Sequence, residues 1–432
     1  MSRLVIRGPA SVSGTVNVPG DKSISHRALM LASAASGQTT IRDLAPGADV
    51  DSTAGCMSDL GALIERNGTV TTIDANGIAN WVEPVKALDC GNSGTTIRLL
   101  AGLVAQRDLT VTLDGDSSLR ARPMERVARP LRAFGAEIST TDGHAPITVS
   151  GGALTGTRVD TGVASAQVKS ALMFAALGAD GTTTVIEPAP TRDHTERMLT
   201  ALGARIVESR TGDRHTIEVG PYAPPPFELK VPGDVSSAAF LVAAAVMTGS
   251  VLIEGVGLNP LRIGFLEAVR EMGGSVTWTT DEERMNEPVG NITAERSSLR
   301  ALTLEGSVIP TIHDELPLIA ILATQAAGET VVRGAGELRV KEADRITTVV
   351  DGLRRFGADV EELPDGFVVR GPTELHGASV EGHGDHRVAM AFAIAGVIAK
   401  GETTIDGFEC ADISWPNFTD VLSCVGVEVE LT

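Results

Sequence analysis

The chain has 432 residues, and its 36 Lys and Arg against 55 Asp and Glu give a formal net charge of −19. This length suffices for two or three domains without disulfide or metal staples, while the acidic balance disfavours nucleic acids and anionic membranes as partners. Aromatic residues are only 3% of the chain, which disfavours base-stacking platforms. An anionic ligand must therefore meet cations that are gathered in one place.

The cysteines and the apolar segments predict a compartment. Cys56, Cys90, Cys410 and Cys424 stand without C-x-x-C spacing, which argues against a metal cage or a secreted disulfide framework. The N-terminus lacks the apolar core of a signal peptide, and the longest apolar run, before Lys400, is shorter than the ~20 residues of a membrane span. The sequence therefore predicts a soluble cytoplasmic protein.

A helix end recurs six times along the chain. It consists of a leucine-type residue or close equivalent, a glycine and an alternating stretch, as in MSDLGALIE, LRAFGAEIS and LRRFGADVE. The glycines, in chain order, are Gly61, Gly135, Gly203, Gly273, Gly357 and Gly426. A glycine C-cap that leads into a strand has this pattern. A repeated unit of about seventy residues therefore fills the chain.

Six apolar helices accompany these repeats. In chain order they are SHRALMLASAAS, GTTIRLLAGLVAQ, AQVKSALMFAALGA, SSAAFLVAAAVM, ELPLIAILATQAA and HRVAMAFAIAGVIA. Each is followed by a turn and a β-branched strand, such as KGETTID. Because they are apolar nearly all round, the sequence predicts that protein surrounds them.

A second, more widely spaced sequence repeat divides the chain into halves. VNVPGDKS, at residues 16–23, recurs as LKVPGDVS at residues 229–236. The chain is therefore expected to cross between halves near Gly20 and Gly233. The predicted domains are residues 21–233 and residues 1–20 with 234–432, each with three repeats, so that one half takes its first strand from the N-terminus.

Polar residues open all six buried helices. Side-chain caps explain most of them taken singly. However, Lys22, Arg27, Arg98, Lys169 and Arg387 lie in or beside first turns, where the helix dipole disfavours each positive charge by roughly 0.3–1 kcal/mol. We therefore predict that these N-termini converge on an anionic ligand.

Other segments are ambiguous when taken alone. Arg122 of LRARPM fits a solvated basic turn, and the Gly-rich loop before Gly94 fits either a structural turn or a close approach to phosphate. Lys341 and Arg345 are four residues apart and would share a helix face, as a like-charge pair. The acid pair Asp314 and Glu315 of HDELP is more typical of a helix cap than of a catalyst, with a general base as the alternative.

Taken together, eight segments closely resemble the 5-enolpyruvylshikimate-3-phosphate synthase family. They are PGDKSISHRAL, GNSGTTIRLLAG, LRARPM, SAQVKSALMFAAL, RDHTERML, HDELP, LRVKEADRI and GDHRVAMAF, and they span the chain in the family's order. The resemblance implies an α/β (α+β) fold, a two-domain inside-out α/β barrel-like architecture of six βαβαββ repeats, three per domain. Its buried parallel helices would point their N-termini at an interdomain cleft.

The resemblance also implies a reaction. The enolpyruvyl (1-carboxyvinyl) group of phosphoenolpyruvate would pass to the 5-hydroxyl of shikimate 3-phosphate, with release of phosphate, by addition and elimination. This step belongs to the shikimate pathway to chorismate and the aromatic amino acids. Both substrates are multiply anionic small molecules, the family implies neither a metal nor an organic cofactor, and we expect a monomer.

Site residues follow from the resemblance by position. Those expected to bind shikimate 3-phosphate are Lys22, Ser23, Arg27, Ser165, Gln167, Arg192, Asp314 and Lys341. Those expected to bind phosphoenolpyruvate are Lys22, Gly94, Arg122, Gln167, Arg345 and Arg387. Asp314 would take the proton of the 5-hydroxyl and Lys341 would orient that hydroxyl, while Glu342 and Lys22 are the candidates for protonating the methylene carbon.

Two positions depart from the family pattern. Ile413 stands where some members carry a lysine on the phosphate of phosphoenolpyruvate, and Glu337 stands where some carry an asparagine that contacts shikimate. Gly94 is retained where glyphosate-tolerant members carry alanine, so we expect ordinary sensitivity to glyphosate.

Two alternatives remain from the sequence. One is the related transferase acting on UDP-N-acetylglucosamine, whose mobile loop usually carries a reactive cysteine; the corresponding DSSLRARPM has none. The other is a non-catalytic binding protein built of repeats, such as a ring-forming clamp. A clamp would carry its cations along helix faces, whereas here they cluster at the ends of apolar helices.

Overall fold

The helices of the protein alternate with short strands along the whole chain. The computed structural model describes residues 2–432. Its α-helices are α1 (Lys22–Ala34), α2 (Ala48–Asp59), α3 (Gly94–Ala105), α4 (Ser117–Arg120), α5 (Glu125–Ala133), α6 (Ala166–Ala176), α7 (His194–Ala201), α8 (Val235–Thr248), α9 (Gly264–Glu271), α10 (Ile309–Ile312), α11 (Leu316–Ala323), α12 (Arg345–Arg355), α13 (His386–Ile398) and α14 (Phe418–Cys424).

The strands form six four-stranded sheets. Strands β1 to β12 are Arg3–Gly8, Ser13–Asn17, Ser36–Arg42, Leu63–Asn67, Val70–Asn76, Leu88–Asp89, Thr110–Asp114, Glu137–Thr141, His144–Ser150, Arg158–Asp160, Thr183–Glu187 and Ile206–Thr211. Strands β13 to β24 are Arg214–Val219, Glu228–Lys230, Ser250–Gly257, Ser275–Arg284, Glu287–Glu295, Thr303–Leu304, Gly328–Val332, Asp359–Leu363, Gly366–Gly371, Ser379–Glu381, Gly401–Asp406 and Val429–Leu431.

Each sheet corresponds to one sequence repeat. The strand orders are β14-β3-β5-β4, β6-β7-β9-β8, β10-β11-β13-β12, β16-β17-β15-β2, β18-β19-β21-β20 and β22-β23-β1-β24. In the second sheet, for example, β6 runs parallel to β7 across α3, and β7, β9 and β8 are antiparallel neighbours. This is a βαβαββ unit, and its recurrence confirms the predicted two-domain inside-out α/β fold.

The chain divides into two compact units. Domain I comprises Gly20–Val231 with Glu283–Glu287, and domain II comprises the chain up to Pro19 with Pro232–Glu282 and Pro288–Thr432. The N-terminal strand β2 pairs in parallel with β15, while β14 pairs in parallel with β3. The two strands that precede α1 and α8 therefore complete sheets formed by the other half of the sequence.

One short segment groups differently from the sequence prediction. Residues 283–287 were assigned with the rest of 234–432, but they belong to domain I. The Nδ1 atom of His194 lies 2.7 Å from a carboxylate oxygen of Glu287, and both side chains are buried. Arg197 also donates to the Asn286 carbonyl at 2.8 Å. These contacts hold the turn between β16 and β17 against α7.

The six helices predicted to be surrounded by protein are buried. They are α1, α3, α6, α8, α11 and α13. In contrast, α5, α9 and α12 each expose a polar face. Five of the six buried helices are capped by a side chain, from Asp21, Ser93, Ser165, Asp234 and Asp385.

The repeated glycines end the outer helices. All six, from Gly61 to Gly426, have φ between 86° and 110°, a region in which any residue with a Cβ is strained. In the first repeat, Gly61 N–H bonds to the Ser58 carbonyl and Ala62 N–H to the Met57 carbonyl. The glycine therefore closes the helix and turns the chain into the next strand.

Within residues 2–432, no single helix has both the length and the apolar composition needed to cross a membrane. The pair Gly306–Ile312 and Leu316–Ala323 meets those two criteria together, but it is bent by 106°.

The closest approach of two buried helices gives a stability prediction. A Cβ at Gly102 of α3 would lie 2.0 Å from the Ala171 carbonyl oxygen of α6, whereas a Cβ at Gly55 of α2 would meet no atom within 4 Å. We expect Gly102→Ala to destabilise the protein by about 1–3 kcal/mol or more through overpacking. The matched Gly55→Ala should stabilise it by roughly 0.5–1 kcal/mol. Urea unfolding measures both; equal midpoints for the two variants would contradict the close packing.

Candidate active site

In domain I, the N-terminal turns of α1, α3 and α6 carry most of the predicted substrate residues, while Arg122 and Arg192 lie in loops before α5 and α7. Lys22 is the first residue of α1, and its Nζ lies 2.9 Å from a carboxylate oxygen of Asp49. Ser23 and Ser165 are half-buried, and the Ser165 hydroxyl accepts the Val168 N–H at 3.4 Å. A serine that caps a helix can still donate its own hydroxyl proton to an anion.

Arg27 lies buried behind this surface. Its Nε donates to Thr195 at 2.7 Å, one terminal nitrogen donates to Ser170 at 2.7 Å, and the other donates to the Ser23 carbonyl at 2.9 Å. Burial lowers the pKa of Arg27 to about 10, and the positive charge of Arg192 acts in the same direction. Arg27 therefore keeps its charge at neutral pH with a second cation nearby.

Gly94 lies between two guanidinium groups. A Cβ on Gly94 would be 3.0 Å from a terminal nitrogen of Arg98 and 3.1 Å from one of Arg122. Arg98 donates to the Gln167 side-chain oxygen at 2.6 Å, and Gln167 in turn donates to Thr95 at 3.0 Å. The bare backbone of the loop and two cations are therefore adjacent, an arrangement that suits a phosphate or carboxylate.

In domain II, cations surround Asp314. Its Oδ1 lies 3.4 Å from Arg345 and 3.8 Å from Lys341, and its Oδ2 lies 3.9 Å from Arg387. Opposite charges at such distances favour the ionised form of a carboxylate, which is the form that a general base requires. The general-base role of Asp314 stays a prediction, with three cations within 4 Å of its carboxylate.

Arg345 is fixed by carboxylates on three sides. Its Nε donates to Asp385 at 2.7 Å and a terminal nitrogen donates to Glu342 at 2.8 Å. Burial opposes the charge of Arg345, but Asp385, Glu342 and Asp314 outweigh it and raise its pKa. Arg345 is therefore a permanent cation with a defined orientation.

Two local sequence interpretations of this region are wrong. Lys341 follows the 3₁₀ turn Gly336–Val340 in extended conformation, and α12 begins only at Arg345 behind its Asp344 cap. Lys341 and Arg345 therefore share no helix face; instead both lie near Asp314. Glu315 makes no side-chain cap.

Glu315 is instead part of a buried polar network. It accepts a short hydrogen bond from Ser236 and lies 3.5 Å from Arg387. Arg262 donates to the same Ser236 hydroxyl at 2.8 Å and also contacts Asp234. The second VPGD segment therefore supports Arg387 rather than presenting a lysine of its own.

Lys169 does not face the substrate residues. It is fully buried and pairs with Glu196 at 2.7 Å and Glu187 at 3.0 Å, and it donates to the Thr191 carbonyl at 3.0 Å. Its predicted anion is therefore supplied by the protein. Arg120, in contrast, is an exposed surface residue, but it too pairs with a carboxylate of the protein, that of Asp114.

The sequence analysis gave no site role to several residues that contact the predicted site residues directly or through one another. They are Asp49, Arg98, Ser236, Arg262, Glu315 and Asp385. Arg98 was predicted only as one of the cations in the first turns of the buried helices, and its hydrogen bond to Gln167 places it beside a predicted site residue. Asp49 and Arg262 lie on segments without a distinguishing pattern, so their partners are defined only by the fold.

The two departures from the family pattern lie in short 3₁₀ helices. Ile413 ends the turn Phe408–Ile413 and packs against the core of domain II, while Glu337 is exposed in Gly336–Val340. Neither position supplies the cation or amide that the family pattern would place there. In residues 2–432, no group of three or more His, Cys, Asp or Glu residues is arranged to hold a metal ion.

Solved structures identify the class of protein. The chain is similar to EPSP synthase from Acinetobacter baumannii, with a TM-score of 0.88, 38% identity and full coverage of both chains. It also shares its fold with the enolpyruvyl transferase NikO from Streptomyces tendae, with a TM-score of 0.79 at 20% identity and coverage of 100% and 99%. The fold is therefore that of the enolpyruvyl transferases.

Sequence comparisons identify the family within this class. The family model EPSP synthase (3-phosphoshikimate 1-carboxyvinyltransferase) matches residues 6–422. The 3-phosphoshikimate 1-carboxyvinyltransferase of Brevibacillus brevis is 47% identical over 97% of this chain and 99% of its own, and that of a Roseiflexus species is 48% identical over 97% and 98%. The chain belongs to the EPSP synthase family.

The buried cluster around Lys169 gives a pH prediction. Hydrogen bonds to Glu187 and Glu208 raise the pKa of His215 from 6.5 to about 9. Because the folded pKa lies above the unfolded one, this stabilisation is complete below pH 6.5 and is lost as the pH rises through about 9. We expect His215→Gln to lower the urea midpoint more at pH 6 than at pH 10. The same substitution at the exposed His376 controls for replacing a histidine with glutamine outside this cluster. An equal shift of the midpoint at both pH values for His215→Gln would contradict the prediction.

Proposed function

We propose that this protein transfers the enolpyruvyl group of phosphoenolpyruvate to the 5-hydroxyl of shikimate 3-phosphate and releases phosphate, in the route to chorismate and the aromatic amino acids. The observation that carries the proposal is the set of cations at the N-termini of α1 and α3 and around Asp314, on a chain whose family match spans residues 6–422. Both substrates are anions, and this arrangement compensates their charge.

The residues that bind the acceptor substrate, shikimate 3-phosphate, lie in domain I and around Asp314 in domain II. Lys22, Ser23, Arg27 and Arg192 bind shikimate 3-phosphate, with Ser165 on its phosphate. Ser165 stands at the mouth of α6, where the helix dipole and free N–H groups favour an anion. In domain II, Lys341 and Asp314 contact the 5-hydroxyl. The half-buried positions of Ser23, Ser165 and Arg192 support this role.

The phosphoenolpyruvate residues include arginines from both domains. Arg122 binds the anionic groups beside the bare backbone of Gly94, and Arg345 and Arg387 supply two further guanidinium groups. Guanidinium is suited to planar, bidentate contact with carboxylate and phosphate. Gln167, whose amide Arg98 and Thr95 orient, contacts both ligands, and Lys22 lies near both.

Asp314 starts the chemistry. It takes the proton of the 5-hydroxyl of shikimate 3-phosphate, and Lys341 orients that hydroxyl. The hydroxyl oxygen then bonds to C2 of phosphoenolpyruvate while C3 gains a proton from Glu342 or Lys22. The tetrahedral intermediate then loses phosphate from C2 and a proton from C3, which restores the double bond. Fixed arginines stabilise the developing charge without reorganisation, so the proposal uses neither a metal nor an organic cofactor.

The biological setting follows from the same proposal. The family's small anionic substrates are metabolites, and we place the enzyme in the cytoplasm as a monomer, bound neither to nucleic acid nor to a membrane. A reducing compartment agrees with four cysteines that all have free thiols in the structure.

Phosphate release tests the reaction and the base. The wild type should release phosphate from phosphoenolpyruvate only when shikimate 3-phosphate is present. Asp314→Asn should lower kcat about 10²- to 10⁴-fold, because a general base is lost. The control Asp351→Asn alters an exposed carboxylate of α12 and should leave kcat unchanged.

The same assay separates the alternatives. Release with UDP-N-acetylglucosamine alone would reassign the acceptor, and release with neither acceptor would favour a binding protein without chemistry. Full activity in Asp314→Asn would remove Asp314 as the base and leave the reaction standing.

Gly94 gives a prediction for glyphosate. The wild type should be inhibited at concentrations near the KM for phosphoenolpyruvate. In Gly94→Ala the methyl group would lie 3.0–3.1 Å from Arg98 and Arg122, so these guanidinium groups must shift by a few tenths of an ångström. We expect at least tenfold weaker inhibition and a higher KM for phosphoenolpyruvate, measured by the same phosphate assay. Wild-type turnover at glyphosate far above this KM would contradict the expectation.

A further inference from the structure

Behind Arg27, helices α6 and α7 are joined by two adjacent side-chain pairs. Ser170 and Thr195 share a hydrogen bond of 2.7 Å, and the neighbouring residues Lys169 and Glu196 form an ion pair of 2.7 Å. All four side chains are buried. The two pairs lie one residue apart on both helices, so they fix α7 against α6 at one place.

Arg27 is held by the hydroxyl pair. Its Nε donates to Thr195 and a terminal nitrogen donates to Ser170, both at 2.7 Å. The third bond goes to the carbonyl of Ser23. A guanidinium group has five N–H donors, so three fix its plane and two remain for a ligand.

The partners of Arg27 orient it without neutralising it. Across residues 2–432, its hydrogen-bond partners are two hydroxyls and one carbonyl, all uncharged. The adjacent Lys169 has the opposite arrangement, because Glu187 and Glu196 contact it directly. Lys169 is thus in direct contact with carboxylates, whereas Glu196, Asp21 and Glu287 act on the charge of Arg27 only from beyond its hydrogen bonds.

We propose that Thr195 and Ser170 are positioning residues that orient Arg27 toward shikimate 3-phosphate. The Lys169–Glu196 pair keeps α7 in the place where Thr195 reaches Arg27. None of these four side chains needs to touch the substrate. This inference rests on the proposed function, since it assigns the acceptor as the ligand of Arg27.

Thr195→Val tests the inference, because it keeps the side-chain shape and removes the hydroxyl. A lost hydrogen bond to a charged group corresponds to a change of about tenfold or more in affinity. We expect the KM for shikimate 3-phosphate to rise at least about tenfold, while the KM for phosphoenolpyruvate stays within about twofold. Thr195→Ser, which retains the hydroxyl, should restore the KM for shikimate 3-phosphate to within about threefold of the wild type.

A second pair of variants guards against a folding defect. Ser170→Ala should raise the same KM, whereas Ser33→Ala, which removes a buried hydroxyl of α1 without a hydrogen-bond partner in residues 2–432, should not. Thermal melting of each variant shows whether it is folded. An unchanged KM for shikimate 3-phosphate in both Thr195→Val and Ser170→Ala, or an equal rise for both substrates, would overturn the inference.

Direct binding separates this inference from the proposed function. Calorimetric titration with shikimate 3-phosphate should show weaker binding by Thr195→Val than by the wild type even if no turnover occurs. A wild type that binds the ligand but releases no phosphate would contradict the proposed function alone. A wild type that does not bind shikimate 3-phosphate would overturn both.

Discussion

A helix that is apolar on every face is stable only where protein surrounds it, and six such helices determine the architecture of this chain. Four of them, α3, α6, α11 and α13, connect two parallel strands of one sheet, while α1 and α8 follow the strands that the two halves exchange. At Gly102 two of them approach so closely that no Cβ fits. Burial also leaves the N-terminal N–H groups of each helix to be satisfied at its end, which is why the polar chemistry concentrates there.

These helix ends combine side-chain caps with cations. Aspartate or serine side chains cap five of the six helices and satisfy their backbone donors. The cations near these helix ends are restrained in two different ways. Lys169 and Arg345 contact carboxylates directly, so their orientation is set by charge. Arg27 is hydrogen-bonded by neutral oxygens, so its orientation is set without a direct ion pair. Contact with a carboxylate does not by itself mark a cation as structural, because Arg345 is also proposed to bind phosphoenolpyruvate. The two kinds of restraint differ in how the side chain is oriented.

Much of the fold was predictable, because its periodicity is local. The glycines from Gly61 to Gly426 end helices as the repeat predicts, with the positive φ that explains the residue type. The exchange of strands was implied by the two VPGD segments and is seen in the pairing of β2 with β15. The turn at residues 283–287 was misassigned, since its contact between Glu287 and His194 joins residues 93 positions apart.

The sequence by itself determined the repeats, the buried helices, the family and the residue types at the helix mouths, because each depends on local pattern or on motifs in fixed order. Tertiary structure decided which partners each cation meets. Lys169 and Arg27 both lie near the starts of apolar helices, yet one meets Glu187 and Glu196 and the other meets hydroxyls. Likewise, Lys341 and Arg345 are brought to Asp314 by a break between two helices. Partners distant in the chain leave no periodic trace, so only the folded geometry assigns them.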